Sequence, residues 1–249
     1  MKLMIATPFY SVNGFAPYIV SLAKSIQILD KIGIEWCFND LCGDSYVDRA
    51  KNDIVDKFFK SDFTDLLLID SDMSWNEQGL LHLLRSPFDL TGGAYPMKNR
   101  WDFFTEKIVY DKNHAPAQDM EAGLIESEYL AGGFLRMTKQ CIAKMYRVYG
   151  YDWYYANEEK EIDRIINLFE CKVRDHWRRG EDIVFCEKWR AMGEKCYIEP
   201  RIDFGHCGMT MHTGNLHKFL SDITRHNKDF GATLNRLETS VAEYATVTI

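Results

Sequence analysis

Short apolar runs and longer stretches of helical spacing alternate along the first 95 residues. The short runs are rich in aliphatic and β-branched side chains, which is typical of buried strands in a parallel sheet. They cover residues 2–8, 32–39, 65–70 and 88–95. The intervening stretches, in which apolar side chains recur every three or four positions, cover residues 18–29, 45–59 and 76–86. This order predicts an α/β fold with a mostly parallel central sheet flanked by helices.

The pattern is less regular after residue 95. Residues 103–111 and 122–138 are strand-like, and residues 139–150 and 180–193 have helical spacing. No periodicity is evident in residues 151–179, and residues 201–215 have the glycine content of a loop. No change in composition marks a second domain. We therefore expect one domain over residues 1–215, with a helical extension at 216–249 packed on it.

The overall charge argues against a generally basic, nucleic-acid-binding protein. Lys and Arg number 30 against 37 Asp and Glu, a net charge of −7, so no global positive field attracts a polyanion. A local basic groove is still compatible with this overall charge. Seven scattered cysteines without a C-x-x-C pair favour reduced thiols over disulfides or zinc. With neither a signal peptide nor a membrane span evident, we expect a cytoplasmic protein, in the host cytoplasm if it is phage-encoded.

Two aspartates follow the most apolar run, in "LLLIDSDMSW" at residues 66–75. The ligand crevice of an open parallel sheet lies beyond the carboxyl ends of its strands. Asp70 and Asp72 are two residues apart, so in extended chain both carboxylates point the same way. Such oxygens suit Mg²⁺ or Mn²⁺, which can bridge two phosphates. Taken alone, the pair is explained more simply by a solvated turn that caps the next helix.

A longer pattern around this pair resembles a known family. The segment "DRAKNDIVDKFFKSDFTDLLLIDSDMSW" is similar to family-2-like glycosyltransferases of the GT-A fold, which occur in bacteria and phages. Downstream, "DLTGGAYPMK", "YLAGGFLRMT", "GEDIVFCEKWRAMGEKCYIEP" and "FGHCG" follow in the order of that family. The resemblance extends from residue 2 to about residue 210 and implies a single GT-A domain, a nucleotide-diphospho-sugar transferase fold.

The resemblance implies a bound Mn²⁺ or Mg²⁺ as cofactor. Asp72 would ligate the metal, Asp70 would bind the metal or the donor's ribose, and His206, expected in a late loop, would complete the coordination. His212 and His217 are rivals to His206 for this role. The alternative to a metal-binding role is that His206 is an ordinary loop histidine without a ligand.

Further residues are assigned to the donor by the same resemblance. Thr7 and Pro8 lie where these enzymes hold the nucleotide base, and Tyr10 could stack on it; Pro8 is also expected to end the first strand. The remaining donor contacts would be Arg49, Asn52, Asp70, Ser71, Gly132 and Gly133. The paired glycines could instead relieve packing inside a strand.

The resemblance also implies a general base. Asp182 would take the proton of the acceptor hydroxyl in an inverting reaction, with Glu181 as its substitute. Acids are favoured in the first turn of a helix anyway, so capping is the competing explanation. Acceptor contacts are expected from Trp101, Trp177 and Arg178. The last two belong to a basic and aromatic stretch, residues 174–179, that could bind nucleic acid or be a solvated loop.

Together these features predict a metal-dependent glycosyltransferase. A nucleotide-sugar donor, a UDP-sugar in this prediction, would react with the hydroxyl of an acceptor, either a hydroxymethylated base of phage DNA or a surface glycan; inverting and retaining chemistry are both compatible. One alternative is a nucleotidyltransferase, although no glycine-rich phosphate loop containing lysine follows the first strand. Another is a non-catalytic module that binds nucleotide sugars.

Overall fold

The structure is a computed structural model that describes residues 1–10, 13–98, 100–104, 107–157, 162–208 and 210–226. The helices within these ranges are α1 Ala16–Lys31, α2 Val47–Lys60, α3 Glu77–Leu84, α4 Lys139–Tyr149, α5 Glu181–Ala191 and α6 Leu216–His226. The strands are β1 Lys2–Phe9, β2 Glu35–Cys42, β3 Asp65–Ile69, β4 Met73–Trp75, β5 Leu90–Gly93, β6 Pro96–Met97, β7 Arg100–Phe104, β8 Gln118–Asp119, β9 Leu124–Ser127, β10 Phe134–Thr138, β11 Trp153–Asn157, β12 Ile162–Ile166, β13 Lys172–Arg174, β14 Trp177–Arg179, β15 Cys196–Glu199, β16 Phe204–Cys207 and β17 Met211–Gly214.

An eight-stranded sheet forms the centre of the molecule, in the order β2-β1-β3-β10-β5-β15-β9-β8. Strands β2, β1 and β3 are parallel, and so are β5 and β15. β10 runs antiparallel between β3 and β5, and β9 runs antiparallel to β15 and β8. The prediction of an α/β fold with a mostly parallel sheet flanked by helices is confirmed.

Alternate side chains of the central strands feed two separate cores, one on each face of the sheet. In β3, Leu66 and Leu68 pack with apolar residues of α2, α4 and α5. Leu67 and Ile69 point the other way and pack with residues of α1 and α3. This period of two in a fully buried strand produces the continuous apolar run in the sequence.

The first strand does not end at Pro8. β1 continues to Phe9 and stays paired with β2, with Pro8 opposite Leu41. The Phe9 carbonyl accepts a hydrogen bond from the Gly43 N–H on the β2 side, so the adjacent Pro8 nitrogen faces the other side. β3 pairs with β1 only as far as Ala6, so no strand there needs the missing N–H.

The aperiodic segment 151–179 contains two β-hairpins. β11 pairs with β12, and β13 pairs with β14. The second hairpin turns at Asp175 and His176, whose φ angles of 51° and 66° suit a two-residue turn of type I′. Residues of β13 are exposed, so neither face of this hairpin needs an apolar pattern, and the period of two is invisible in the sequence.

Residues 201–215, expected as a loop, instead form two strands of a small sheet. β16 lies between β4 and β17, so His206 is on a strand. The glycines predicted as loop residues permit close strand contact: a Cβ at Gly205 would lie 2.4 Å from Ser74 Oγ. The loop prediction was wrong because such glycines serve close packing as well as turns.

The end of the described chain is helical. Leu216, at the start of α6, is buried, and Phe219 packs on Phe104 with ring centroids 5.4 Å apart. The remainder of the extension, residues 227–249, lies outside the described residues, so the division at residue 215 stays a prediction.

The described helices are short compared with a membrane span. α1, the longest helix in the described ranges, has 16 residues, whereas a bilayer span takes about 20 apolar ones. No helix in those ranges is long and apolar enough to cross a membrane.

A buried ion pair joins β10 to β3. Arg136 donates from Nε to Asp65 Oδ1 at 2.9 Å and from Nη1 to the carbonyls of Ser86 and Phe88, each at 3.0 Å. Removing one partner of a buried pair leaves the other charge uncompensated. We expect Arg136→Ala to lower the free energy of unfolding by about 3–5 kcal/mol, measured by urea denaturation.

The control for Arg136→Ala is Lys195→Ala. Lys195 forms a 2.7 Å ion pair with Glu126 but its side chain is 57% exposed, so we expect a loss within about 1 kcal/mol. Equal losses in the two variants would contradict a stabilising role for the buried pair.

Candidate functional site

A small pocket lies at the carboxyl ends of β1 and β3. It has a volume of about 180 Å³. It is lined by Pro8, Phe9, Tyr10, Asp44, Ser45, Val47, Ala50, Asp70, Ser71 and Asp72. Five residues predicted from sequence thus share one pocket: Pro8, Tyr10, Asp70, Ser71 and Asp72. Asp44, at the start of the loop after β2, was not predicted.

Larger cavities exist elsewhere on the molecule. One of about 530 Å³ lies beside Arg85 and Arg201, and one of about 480 Å³ lies beside Asn76 and Lys218. Volume therefore does not single out the small pocket. Its chemistry does, because Asp44, Asp70 and Asp72 line it and the buried Lys51 lies 3.8 Å from Asp70 Oδ1. Charged groups clustered in this way are typical of functional sites.

Asp70 carries an incompletely satisfied carboxylate. Its Oδ1 is buried and accepts no hydrogen bond from the described residues, and Lys51 Nζ lies 3.8 Å from this oxygen. Burial, together with the nearby charges of Asp72, Glu181 and Asp182, raises the pKa of Asp70 to about 6, against the opposing effect of Lys51. One third of the side chain is exposed, so the carboxylate is reachable from the pocket.

Lys51 is the buried cation of the site, and sequence reasoning missed it. Its side chain is 1% exposed, and Nζ donates to Glu181 Oε1 at 3.0 Å and to the Gly132 carbonyl at 3.2 Å. Burial alone would lower its pKa, but the surrounding carboxylates outweigh this effect and raise the pKa of Lys51, which stays charged. A signal existed: Lys51 lies four residues from Val47 and Val55, on the apolar side of α2.

The two acids predicted as catalytic open α5. Burial would raise the pKa of Glu181, but its ion pair with Lys51 lowers it. Asp182 accepts the Gly132 N–H at Oδ2, 2.9 Å away, and the Ile183 N–H at Oδ1, 2.8 Å away. Asp182 therefore orients both the start of its helix and the backbone before β10.

Gly132 and Gly133 lie in the turn before β10, and not inside a strand as the sequence pattern indicated. A Cβ at Gly132 would lie 2.3 Å from Lys51 Nζ, and one at Gly133 would lie 2.5 Å from Tyr95 Oη. The Gly133 N–H donates to Tyr95 Oη at 2.8 Å, and its carbonyl accepts the Asp70 N–H at 3.0 Å. Any side chain here would displace the groups that form the site.

Asp72, which lines the pocket, lies close to His206 and Lys98. Asp72 Oδ1 is buried and accepts no hydrogen bond from the described residues, while Oδ2 contacts Lys98 Nζ and lies 3.8 Å from His206 Nε2. His206 Nδ1 lies 2.9 Å from the Pro96 carbonyl, which can only accept, so Nδ1 carries the proton. Burial lowers the pKa of His206. The neutral ring therefore presents the lone pair of Nε2 towards Asp72.

The rival histidines are placed differently. His212 is opposite His206 on the neighbouring strand β17, and its Nε2 lies 3.2 Å from Thr210 Oγ1. His217 is in α6, where its backbone N–H donates to the Pro200 carbonyl. Of the three histidines, His206 is thus the one with a ring nitrogen 3.8 Å from Asp72 Oδ2.

Two of the predicted donor contacts belong to the core. Thr7 is fully buried and its hydroxyl is 2.6 Å from that of Tyr18. Asn52 is 1% exposed, and its amide oxygen accepts the N–H groups of Leu168 and Phe169. Their side chains are used in packing and in fixing the chain after β12, and their assignment to the donor stays a prediction.

Arg49 is paired with Asp44 of the pocket. It forms a bidentate pair with Asp44, with both N–O distances at 2.8 Å, and its side chain is 55% exposed. It lines a separate cavity of about 250 Å³ that also includes Tyr154. Arg49 reaches the predicted donor pocket indirectly, through Asp44.

The predicted acceptor residues lie on hairpins. Trp177, on β14, is 71% exposed, and Arg178 beside it is also exposed. Their hairpin leads through Gly180 directly into Glu181. Trp101 belongs to β7, and its side chain lies outside the described residues.

The arrangement leaves two buried carboxylate oxygens, one each on Asp70 and Asp72, without a hydrogen-bond donor in the described part of the chain. Buried polar atoms of this kind are rare and are usually completed by water or an ion. Within the same part of the chain, no three His, Cys, Asp or Glu side chains stand together at the spacing of a finished metal site. Lys98 holds one of the oxygens that such a site would use.

No family model matches the chain, and no curated protein matches it. Solved structures with a similar chain course include A197 from STIV, with 16% identity, 84% of this chain and 86% of that chain covered, and a TM-score of 0.49. Another is S. aureus TarS 1-349 in complex with UDP-GlcNAc, with 13% identity, coverage of 80% and 56%, and a TM-score of 0.40. A third is CMP:2-keto-3-deoxy-manno-octonic acid synthetase complexed with CTP, with 9% identity, coverage of 80% and 89%, and a TM-score of 0.39.

This chain thus spans little more than half of the TarS chain. The names of the three structures describe different proteins: A197, TarS in complex with UDP-GlcNAc, and a synthetase complexed with CTP. At such identities and TM-scores they transfer no activity to this chain, so its function has to be argued from its own site.

The raised pKa of Asp70 predicts a pH-dependent contribution to stability. The folded-state pKa of about 6 exceeds the ordinary aspartate value of 3.8, so between these pH values the folded state binds more protons and stability falls as pH rises. In chelator, we expect wild type to lose about 1–2 kcal/mol relative to Asp70→Asn from pH 4 to pH 6, a figure reduced for solvent screening. Denaturation of both proteins across this range measures the difference, and parallel profiles would contradict it.

Proposed function

We propose that the protein is a metal-dependent glycosyltransferase of the GT-A type. It would move a sugar from a nucleoside-diphosphate donor, a UDP-sugar, to the hydroxyl of an acceptor. The observation that carries the proposal is a pair of buried oxygens, one each on Asp70 and Asp72 beyond the carboxyl end of β3, that have no hydrogen-bond donor among the described residues, with His206 Nε2 3.8 Å from Asp72 Oδ2.

The donor set fits Mn²⁺ or Mg²⁺. Carboxylate oxygens are the ligands that hard divalent cations prefer, and a neutral imidazole is better suited to Mn²⁺ than to Mg²⁺. Asp72 and His206 would hold the cation, with Asp70 as a ligand or a contact to its water molecules. When bound, the cation would act as a Lewis acid that stabilises the departing diphosphate.

Pro8, Tyr10 and Ser71 surround the same pocket and provide a site for the donor's nucleoside. Tyr10 is 80% exposed, which leaves its ring available to stack on a base. Asp44, fixed by Arg49, adds a carboxylate that can accept hydrogen bonds from a ribose or a base.

Asp182 is the proposed general base in an inverting reaction. The acceptor oxygen would attack the anomeric carbon, the bond from that carbon to the diphosphate would break, and the hydroxyl proton would pass to Asp182. Each Asp182 oxygen already accepts one backbone N–H, and each retains a further lone pair for a proton. Glu181 is the weaker candidate, because its ion pair with Lys51 stabilises the charged form.

The β13–β14 hairpin is the proposed acceptor contact. Trp177 offers an exposed ring, and Arg178 lies near enough to Glu181 to lower the pKa of that carboxyl. An exposed ring and a cation on one hairpin suit either the apolar face of a sugar or a flipped nucleobase and its phosphate. A surface glycan and a hydroxymethylated base in DNA are the two acceptors to test.

The first functional prediction concerns the metal. We expect chelation to abolish activity, and Mn²⁺ or Mg²⁺ to restore it. Asp72→Asn should lose the part of UDP affinity that depends on Mn²⁺, because an amide is a poorer ligand than a carboxylate. Calorimetric titration with UDP, with and without Mn²⁺, measures this, and full activity of Asp72→Asn in excess chelator would overturn the metal assignment.

The products separate the candidate reactions. Glycosyl transfer releases UDP and labels the acceptor, whereas nucleotidyl transfer releases pyrophosphate. Separate incubations in Mn²⁺ therefore distinguish them: one with nucleotide sugars, with and without hydroxymethylated DNA or glycans, and one with nucleoside triphosphates and sugar phosphates. Binding of a nucleotide sugar without any product would identify a non-catalytic module.

The second functional prediction concerns Asp182. A general base typically contributes about 10²- to 10⁴-fold to the rate. Asp182→Asn removes the basic carboxylate and keeps an acceptor for only one of its two backbone N–H groups. We therefore expect turnover to fall by that range and donor affinity to stay nearly constant, while the free energy of unfolding falls by about 1–3 kcal/mol. Retained turnover would exclude Asp182 as the base and would favour Glu181 or a retaining reaction.

A further inference from the structure

Each aspartate of the pair is accompanied by its own lysine, and the two lysines differ in accessibility. Lys51, beside Asp70, is 1% exposed and donates to Glu181 and Gly132. Lys98, whose Nζ contacts Asp72 Oδ2, is 41% exposed. A buried lysine with several acceptors stays in place, whereas an exposed one can change rotamer at little cost.

Lys98 is placed on an accessible turn. It follows β6, which ends at Met97, and precedes β7. A Cβ at Gly208 would lie 3.3 Å from Lys98 Cδ, so the glycine leaves room along the lysine stem. The Lys98 ammonium thus contacts the Asp72 carboxylate, and its methylene groups lie beside Gly208, where no side chain restricts them.

The oxygen that Lys98 contacts is the one nearest His206. Nε2 of His206 lies 3.8 Å from Asp72 Oδ2. A divalent cation bound by this oxygen and this nitrogen would stand against the Lys98 ammonium, and two positive charges at contact distance repel each other strongly. The cation and the ammonium therefore compete for Asp72.

We propose that Lys98 is a displaceable counter-ion of the metal site, and that it becomes a ligand of the donor's diphosphate. Without metal it neutralises Asp72. Once a divalent cation takes its place, the ammonium is next to the phosphates that the cation binds, and a compact positive charge on a flexible stem suits phosphate. This inference rests on the proposed function, since it requires the metal site at Asp72.

Binding measurements test the inference without using catalysis. Mn²⁺ alone is titrated calorimetrically into wild type, Lys98→Met and Lys195→Met; the last removes an exposed lysine that is also paired with a carboxylate. We expect Lys98→Met to bind Mn²⁺ about 2- to 5-fold more tightly, the range of one partly exposed ion pair. The Lys195→Met variant should match wild type.

The second arm measures UDP binding in saturating Mn²⁺. Lys98→Met should bind UDP about 10-fold more weakly, the loss of one charged contact, and Lys98→Arg should recover part of this affinity because it restores the charge. The two arms therefore move in opposite directions for one substitution. A general disturbance of the fold would weaken both, and Lys98→Gln provides an independent neutral variant.

The outcomes distinguish this inference from the function on which it rests. Mn²⁺ binding that is lost in Asp72→Asn but unchanged or weakened in Lys98→Met and Lys98→Gln would overturn the role of Lys98 alone. Unchanged UDP affinity in both neutral variants would overturn its role as a diphosphate ligand. Absence of Mn²⁺ binding in wild type and all variants would overturn the metal site, and this inference with it.

Discussion

The buried ammonium of Lys51 is the interaction on which the candidate site depends. It compensates Asp70 and Glu181 where little water is available, and it holds the Gly132 carbonyl. Without it, several negative charges would face each other in a poorly solvated space, which is unfavourable unless some of them are protonated. β3, α5 and the turn before β10 can therefore lie close together only because the Lys51 ammonium compensates their charges, in addition to the packing of their apolar residues.

The antiparallel strand β10 explains how the backbone reaches this cluster. Because β10 runs opposite to β3 and β5, its amino-terminal end arrives at the edge of the sheet where their carboxyl ends lie. The turn of Gly132 and Gly133 is thereby inserted between Lys51, Tyr95 and Asp182. Backbone groups, which need less space than side chains, then hold Asp182 and Asp70 in place.

The sequence predicted those parts of the fold in which burial imposes a period. β3 and α2 were recognisable because their apolar residues follow the geometry of a strand covered on both faces and of a helix on one. The exposed β13–β14 hairpin was missed because no buried face imposes a pattern on it. The β16 strand was missed because its glycine, Gly205, serves close contact with Ser74 of β4.

Position along a strand was enough to predict that Asp70 and Asp72 lie together at the carboxyl end of β3, where they line one pocket. Thr7 and Asn52 were assigned to the donor because they lie beside the right elements, yet their side chains are satisfied inside the protein. Lys51 was overlooked for the opposite reason, since a lysine among apolar residues is usually solvated. Which face of an element a polar side chain occupies depends on partners that are distant in sequence.

The distance between those partners bears on how the protein is made. Lys51 and Glu181 are 130 residues apart, and Lys51 and Gly132 are 81 apart. Contacts of such separation carry a large loop-closure cost and form late relative to local helices. During synthesis, α2 leaves the ribosome long before α5 does, so its lysine lacks the Glu181 carboxylate for most of that time. Completion of the acidic cluster is thus coupled to docking of α5, which follows seven of the eight strands of the central sheet in the sequence.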